Sequence, residues 1–577
     1  MVRELQSQET ELNSRIPEPL DKKFGSIRKE RIRTGLLLMM LAMVTPGAYL
    51  NAQPAQSEAP LEQNESKESA NGWWYVRPEL QIGLGLGSDA GGLRLEYRDQ
   101  NRVRLLAYPG LNLAVRHPDQ PWLHAGVHAS ARLLQDYHYY NSNTDDADGE
   151  VRTGEAYAYF NWRTDDWWSS RTTALWSGEG QTDGIHLRVG RLAADIDPEG
   201  LLYSGEAPTA QLMAQMSLGD ATALRFGLAG RQLEREYRHR KAYESSSNHA
   251  ALYSFMAGVY GTNAQLSILY SFLRFPGRTA QPDYNLPGIP PTLVTWPIGQ
   301  SALPDYDVHY WGLRGGYDGN SWGVHLLGLY NYGRSYAVGA DGTRELLSRQ
   351  RIRGGLGYAG LLYRIGEGLA PGCESGPVAR TFCSRSRSVQ GAYELELAVL
   401  ATTRDRSDFD STLNGFGSIR PQPAVMGGVA SILLNGPSPW PENPALQNRQ
   451  PVIYFNDGGV PTEDLNPIVR DQVDPAPPDY DNQGLRMGSL RFTHIIENIW
   501  VVDAYFNYAD YLTGDGSEFI LTLTVTPDMP ELPVRLFFAA TAATYRPDEP
   551  LVYDWLRTAR RDRRFYSRYL MGVTLNL

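Results

Sequence analysis

The sequence predicts an all-β fold, a transmembrane antiparallel β-barrel of about eighteen strands, and three observations support it. Apolar and polar residues alternate with a period of two in many segments of about ten residues. The chain is rich in Tyr, Trp and Gly, with 34, 13 and 57 of its 577 residues. Its mean hydropathy is −0.40, which is too polar for a helical membrane protein but fits a barrel, where only alternate strand residues meet lipid.

The alternation is clearest where charged residues share a strand with aliphatic ones. Leu395, Leu397 and Val399 alternate with Glu394 and Glu396, so one face suits lipid and the other suits water. Taken along the whole chain, the pattern predicts strands near 79–98, 101–116, 122–137, 154–163, 184–192, 208–217, 222–238, 249–261, 263–273, 306–318, 321–337, 350–366, 386–404, 488–497, 499–513, 516–527, 532–546 and 564–577.

The lengths of the connections support an even number of strands. With both termini in the periplasm, most periplasmic connections are short turns and most outer connections are long loops, as in bacterial barrels. Residues 164–183 and 367–385 are exceptions, because they are long and fall on the periplasmic side. The longest loop, 405–487, is interpreted either as a lid or constriction of the lumen or as a disordered surface loop.

The N-terminal residues have the layout of a secretory signal. Arg28, Lys29, Arg31 and Arg33 precede an apolar run at 35–44, so residues 1–52 are predicted to be a cleaved signal peptide. Residues 53–75 are polar and are predicted to form a flexible periplasmic leader. The barrel is then expected to occupy residues 76–577, in the outer membrane of a diderm bacterium with membrane lipid as a partner.

Motifs for catalysis and metal binding are absent from the sequence. It has no His-Glu-x-x-His, P-loop or Gly-x-Ser-x-Gly pattern, so we expect no enzymatic activity, no cofactor and no metal site. The net charge of −11 gives no reason to expect a nucleic-acid partner. Cys373 and Cys383 lie in one loop of an exported chain and are predicted to form a local disulfide.

Charged residues on the non-lipid face of the strands are the candidate functional residues. Rings of arginine in a narrow pore select anions; the competing interpretation is that neighbouring Arg and Glu simply pair. Arg191 ends its predicted strand and could face either way. Glu96 and Glu155 share the lumen. The residues predicted to line the lumen and contact substrate are Arg94, Arg98, Arg102, Arg104, Arg188, Arg191, Arg225, Arg353, Arg491, Arg535, Glu394 and Glu396.

Several segments resemble the alginate export family of outer-membrane porins. They are Gly154–Trp162, Leu187–Arg191, Tyr310–Tyr317, Gly516–Val525 and Val534–Phe538. The resemblance implies an eighteen-stranded barrel that exports an anionic polysaccharide such as alginate, with lumen arginines guiding the uronate carboxylates. It also implies periplasmic export scaffold proteins as partners.

Two other functions stay open at the level of sequence. A passive diffusion or uptake porin for small anionic solutes has the same fold as an export porin, so the strand pattern does not separate them. A surface adhesin with a plugged lumen is the third hypothesis, and it rests on loop 405–487.

Overall fold

A computed structural model describes most of the predicted barrel. The described residues are 74–90, 100–117, 120–140, 145–162, 184–218, 222–233, 250–275, 305–336, 350–370, 372, 384–385, 387–404, 412–419, 421–435, 484–511, 514–527, 534–547 and 564–576. The predicted signal peptide, nearly all of the predicted leader, and Cys373 and Cys383 lie outside them. No helix in this part of the chain is long and apolar enough to cross a membrane.

Eighteen long strands make up the wall of the barrel within the described residues. They are β1 (Trp74–Ala90), β2 (Gln100–His117), β3 (Gln120–Tyr140), β4 (Asp145–Trp162), β5 (Gly184–Asp195), β6 (Ser204–Ser217), β7 (Thr222–Leu233), β8 (Ala250–Gly261), β9 (Ala264–Phe275), β10 (Asp305–Asp318), β11 (Trp322–Tyr336), β12 (Gln350–Ile365), β13 (Tyr393–Thr402), β14 (Leu485–Ile496), β15 (Trp500–Tyr511), β16 (Gly514–Val525), β17 (Val534–Pro547) and β18 (Arg564–Asn576).

The sheet is closed and antiparallel throughout the wall. Each strand pairs with its neighbours in sequence, and β1 returns to β18, with Gln81 opposite Asn576 and Ala90 opposite Ser567. Closure leaves no unpaired edge, which is what a lipid environment requires of a β-structure. The predicted eighteen-stranded antiparallel barrel is confirmed.

Some strand bounds differ from the sequence expectation. β1 begins at Trp74 rather than near residue 79, because β2 continues to Val115 and supplies a partner for Trp74. β4 begins at Asp145 rather than near residue 154, since its polar first half pairs with the end of β3. In both cases the pairing strand decides the boundary, and local composition does not.

Shorter elements lie between the wall strands. Leu369–Ala370 pairs with Val389–Gln390 in the connection between β12 and β13. Between β13 and β14, Thr412–Leu413 pairs parallel with the start of β12. A 3-10 turn at Gly428–Ala430 and a short helix, α1 (Ile432–Asn435), follow.

The outer face carries an apolar band between two belts of aromatic rings. We call the end of the barrel at which β1 begins and β18 ends the termini end, and the opposite one the loop end. At the termini end, the rings of Trp322 and Tyr363 lie 4.6 Å apart, and at the loop end those of Tyr270 and Trp311 lie 4.8 Å apart. This arrangement places the barrel in an outer membrane. Bacterial barrels keep their termini and short turns in the periplasm, so the loop end faces outward.

Gly190 is a position in the barrel wall where any other residue would be strained. Gly190 in β5 has φ +142°, and a Cβ there would lie 2.2 Å from the Ala156 carbonyl oxygen and 2.6 Å from the Tyr157 Cα. Only glycine combines that backbone conformation with so close an approach of β4.

We predict that Gly190→Ala destabilises the barrel by about 1–3 kcal/mol, the usual cost of a strained backbone position. The urea midpoint of the folded band in heat-modifiable gel mobility measures the loss. Gly357→Ala is the matched control, because its Cβ would meet nothing within 4 Å. Equal midpoints for the two variants would contradict the strain at Gly190.

Candidate functional site in the barrel lumen

Two pieces of the chain fold into the interior of the barrel. The inner turn is the connection between β5 and β6, residues 196–203. The inner segment is residues 412–435, described except for residue 420. Leu201, Leu202, Phe416 and Leu434 are among their side chains and have no solvent exposure. The inner segment belongs to the loop 405–487, for which the sequence left a constriction and a surface loop as alternatives.

The inner turn and the inner segment are joined by backbone hydrogen bonds. The Ile419 amide donates to the Leu202 carbonyl oxygen at 3.0 Å, and the Gln422 amide donates to Gly200 at 2.8 Å. The Ala424 amide donates to Glu199 at 2.9 Å. The two pieces therefore form one structure inside the lumen, made from connections that are more than 200 residues apart in sequence.

The carboxylate of Asp197 holds the inner turn in shape. It accepts hydrogen bonds from the backbone amides of Leu201 at 2.5 Å, Leu202 at 2.9 Å and Tyr203 at 3.3 Å. Burial and the neighbouring Glu199 raise the pKa of Asp197 to about 7, against the lowering effect of the three amides. Asp197 therefore changes charge near neutral pH.

Glu518 on β16 fastens the inner segment to the wall. Its carboxylate accepts hydrogen bonds from the Ser431 hydroxyl and from the amides of Ile432 at 2.8 Å and Leu433 at 3.1 Å. Asn507 of β15 donates to the same carboxylate at 2.8 Å. The buried acceptor is saturated, and it satisfies amides at the start of α1 that have no partner within the helix.

Further contacts fix the inner segment on both sides of the lumen. Thr541 of β17 donates to the Ala430 carbonyl oxygen at 2.7 Å. Arg568 of β18, which is fully buried, donates to the carbonyl oxygen of Ser431 at 3.2 Å. Across the barrel, the Tyr310 hydroxyl of β10 donates to the Gly417 carbonyl oxygen at 3.1 Å. The inner segment thus runs through the lumen from β10 to β16–β18.

Apolar packing adds to these hydrogen bonds. One buried cluster joins the inner pieces to the lumen face of β8–β14 and includes Ile196, Tyr203, Leu252, Leu273, Val308, Ile352, Leu356, Phe416, Ile419, Met426 and Leu433. Here the wall turns apolar side chains inward, because this part of the lumen is occupied by packed protein rather than water.

This inward apolar face corrects one sequence prediction. Arg353 was expected to face the lumen, but it is exposed on the outside of β12, while Ile352 and Leu356 are buried inside. The prediction assumed that the apolar face of each strand meets lipid. In the upper part of β12 the apolar face meets the inner segment instead, so the assignment of the two faces is reversed.

A cluster of arginines and carboxylates lies on the lumen face near the termini end. Arg364 Nε lies 3.0 Å from Glu394 Oε2, and Arg491 lies 2.8 Å from Glu396 and also contacts Glu394. Arg364 reaches Asp318 at 2.5 Å as well. The predicted lumen residues Arg491, Glu394 and Glu396 are therefore brought together and pair with one another.

The connection between β12 and β13 completes this cluster from the termini end. Arg387 lies 2.7 Å from Glu394 and 3.5 Å from Glu396. Burial lowers the pKa of Arg387, but Glu396 and Glu394 outweigh that effect and raise it, so the guanidinium stays charged. Arg385 is buried and pairs with Asp503 at 2.7 Å.

A second group of polar residues lies on the lumen face of β2–β6. The Tyr108 hydroxyl donates to Glu206, and Arg191 lies 3.9 Å from the same carboxylate. Glu155 accepts a hydrogen bond from the Ala193 amide at 3.0 Å. Arg191, whose direction the sequence left open, therefore points inward beside a carboxylate.

Three more arginines lie on β5, β7 and β10. Arg188 is buried and donates to the His186 ring at 2.5 Å. Arg225 donates to Gln215 at 2.6 Å. Arg314, which the sequence analysis did not select, binds Glu199 of the inner turn at 3.1 Å. Of the remaining predicted residues, Arg104 and Arg535 are half-buried, Arg94 and Arg98 lie outside the described residues, and the Arg102 side chain is not described.

Arg231 differs from these arginines. It is buried on the lumen side of β7, at 2% exposure, and its guanidinium carbon lies 5.5 Å from the centre of the Tyr203 ring. Within the described part of the chain, none of its three guanidinium nitrogens has a hydrogen-bond partner. A buried cation without an acceptor is costly, which makes it a candidate contact for an anion.

Sequence reasoning missed this residue although the signal was available. Arg231 lies six positions after Arg225 on the same strand, so the two side chains share one face by the period of two. Asp197, Glu518 and Arg568 gave no comparable signal, because their roles depend on contacts with the inner pieces. Among the described residues, no three His, Cys, Asp or Glu side chains are grouped to hold a metal ion.

Comparisons with known proteins give likeness of fold only. No protein-family model matches the chain, and no curated protein is significantly similar to it in sequence. Among solved structures, OccAB1 of Acinetobacter baumannii is 11% identical, with a TM-score of 0.42, over 89% of this chain and 99% of that one. OccK5 (OpdH) of Pseudomonas aeruginosa is 13% identical, with a TM-score of 0.38, over 87% and 98%.

A third similar structure is OccK2 (OpdF) of Pseudomonas aeruginosa in complex with glucuronate. It is 11% identical with a TM-score of 0.36, over 87% of this chain and 98% of that one. At such values the likeness carries no conclusion about what this chain transports. The resemblance of the sequence motifs to the alginate export family finds no support in these comparisons.

We predict that the channel responds to pH through Asp197. Its pKa is about 7 in the folded chain against an ordinary 3.8, so its contribution to the inner turn is complete below about pH 4 and is lost as the pH rises through about 7. Ionised Asp197 then repels Glu199 and loosens the turn. Single-channel conductance should rise between about pH 6 and about pH 8 in the wild type but not in Asp197→Asn. Identical pH profiles would contradict the prediction.

We also predict that Glu518→Ala frees the inner segment. The change leaves buried amides without an acceptor, at a cost of about 2 kcal/mol or more. Single-channel recordings should show a larger and noisier conductance than in the wild type. Glu518→Gln keeps an acceptor oxygen and should lie between the two. A conductance that both substitutions leave unchanged would mean that Glu518 does not hold the segment.

Proposed function

We propose that this protein is an outer-membrane porin through which small anionic solutes diffuse passively past a constriction. The observation that carries the proposal is the path of the inner segment, which is bonded to Tyr310 on β10 and to Glu518 and Arg568 on β16 and β18. The inner turn adds to the same obstruction. A lumen that contains this much packed protein favours small solutes.

Export of a polysaccharide is the less favoured alternative. A polymer needs a passage that stays continuous over many sugar units, whereas the inner segment is tied to opposite sides of the wall. Moving it aside would break a saturated buried carboxylate and several buried backbone hydrogen bonds. The energetic cost supports a channel with a fixed narrow passage.

The proposed preference for anions depends on the lumen arginines that are not paired with carboxylates. Several described lumen arginines contact carboxylates, as Arg314 and Arg491 do, so these add little net attraction for a passing solute. Arg225 donates to the neutral Gln215 instead. Arg231 is the exception noted above, because its three nitrogens have no acceptor among the described residues. A carboxylate group is the chemistry that suits a planar guanidinium with free donors.

Planar-bilayer recordings test the proposal. The purified barrel should give a low-conductance channel whose reversal potential in a salt gradient indicates anion preference. Small carboxylates should compete with chloride for passage. Instead, a wide channel that polyuronate blocks and small carboxylates do not affect would support export and would contradict the proposal.

We predict that Arg231→Gln lowers the anion-to-cation permeability ratio by roughly two- to fivefold, the effect of one unit charge beside a narrow passage. The permeability ratio is calculated from the reversal potential measured across a salt gradient. Arg231→Lys keeps the charge and should keep most of the preference. Equal ratios in the wild type and Arg231→Gln would show that Arg231 does not face the permeant ions.

A further inference from the structure

A group of arginines lies on the outside of the barrel, where side chains normally meet lipid. Arg334 of β11 and Arg351 and Arg353 of β12 are all exposed and share the outward face with Tyr332. We call these three residues the arginine patch. None of the three has a hydrogen-bond or ion-pair partner among the described residues. The patch is at the loop end, close to the first residue of β12 and the last of β11.

Strand register shows how the patch is arranged. Arg334 is directly opposite Arg351, and Tyr332 is directly opposite Arg353. On the other side, Arg334 is opposite Asp307, which shares Arg274 with Asp305 at 2.5 Å and 2.6 Å. These two carboxylates and one arginine leave a single negative charge beside the three arginines of the patch. Three like charges on adjacent positions repel one another, so the patch calls for an anionic partner from outside the described chain.

The depth of the patch indicates where that partner lies. Level with Arg353, and one outward-facing residue below Arg334, the rings of His309 and Tyr332 stack with centroids 4.8 Å apart, and Tyr330 follows toward the membrane centre. Aromatic belts of this kind mark the boundary between lipid headgroups and acyl chains. The arginine patch therefore lies at headgroup level in the outward-facing leaflet.

The outward face of β11 and β12 below the patch carries several glycines and therefore few side chains. Gly355 and Gly357 follow Arg353 on the outward face of β12, and Gly328 of β11 is opposite Gly357. A Cβ added at Gly328 or Gly357 would meet nothing within 4 Å. These glycines leave a furrow that runs from the patch into the apolar band, with room for an acyl chain against the backbone.

We propose that the arginine patch and the glycine furrow bind one phosphate-bearing glycolipid of the outer leaflet. Its phosphate contacts Arg334, Arg351 and Arg353, and one of its acyl chains lies in the furrow. Arginine forms paired hydrogen bonds to phosphate oxygens, and basic residues at a membrane surface attract anionic lipid headgroups. The phosphate of the glycolipid supplies the negative charge that balances the three arginines.

Native mass spectrometry of the delipidated full-length barrel, titrated with lipid A, tests this proposal. The wild type should bind phosphorylated lipid A and should lose that binding when the phosphates are removed. Arg334→Gln, Arg351→Gln and Arg353→Gln combined should weaken binding by roughly a hundredfold, since each arginine contributes about fivefold. Replacement of all three by Lys should retain part of the affinity.

Two further variants separate lipid binding from folding and from overall charge. Arg132 of β3 is half-buried and acts electrostatically on the buried Tyr108, on the lumen side of the wall. Arg132→Gln removes that positive charge and should leave lipid A binding unchanged. Gly357→Leu fills the furrow from a position whose Cβ would meet nothing within 4 Å, so the barrel should fold while lipid A binds more weakly. The proposal is overturned if dephosphorylated lipid A or phosphatidylglycerol binds as tightly as phosphorylated lipid A. It is also overturned if the three Gln substitutions leave the affinity unchanged, or if Arg132→Gln weakens binding as much as they do. Binding of lipid A to Gly357→Leu with wild-type affinity would equally contradict it.

Discussion

The buried carboxylate of Glu518 is the contact on which the filled lumen depends. It gathers the Ser431 hydroxyl and the amides of Ile432 and Leu433 onto the wall strand β16. With one end of the inner segment held there, residues nearer Phe416 can pack against β10–β12 and pair with the inner turn. The wall alone would leave a wide water-filled pore, since eighteen strands enclose one. The inner turn and the inner segment occupy that pore and pack against its wall.

A packed interior changes what lumen arginines do. In an open pore they would face water and passing ions, whereas here several of them are buried beside carboxylates, as Arg491 is beside Glu394 and Glu396. Such pairs add rigidity to the wall and cancel much of the field that an arginine-rich lumen suggests. The arginines without a hydrogen-bond partner among the described residues then stand out, namely Arg231 inside the barrel and the arginine patch outside it.

The period-two pattern predicted the fold well because lipid imposes it on every strand. The pattern assigned Arg353 to the wrong face of β12. Ile352 and Leu356 are buried against the inner segment, and in the sequence they look like a row of lipid-facing residues. It found Arg225 and could have found Arg231 by the same spacing. The roles of Asp197 and Arg568 could not be predicted, because each depends on backbone groups brought close by two loops far apart in sequence. That neighbouring Arg and Glu pair was only a general alternative at the level of sequence, because the pairing of Arg491 with Glu394 and Glu396 depends on the register of β13 and β14.

The most direct test of the central claim, that the inner segment limits passage to small solutes, is a liposome-swelling assay with solutes of graded size. Barrels of wild-type sequence should admit monomeric carboxylates and exclude uronate oligomers. Barrels that lack residues 412–435 should admit both. Equal rates for monomers and oligomers through the wild-type barrel would contradict the account, because the inner segment could not then be the constriction.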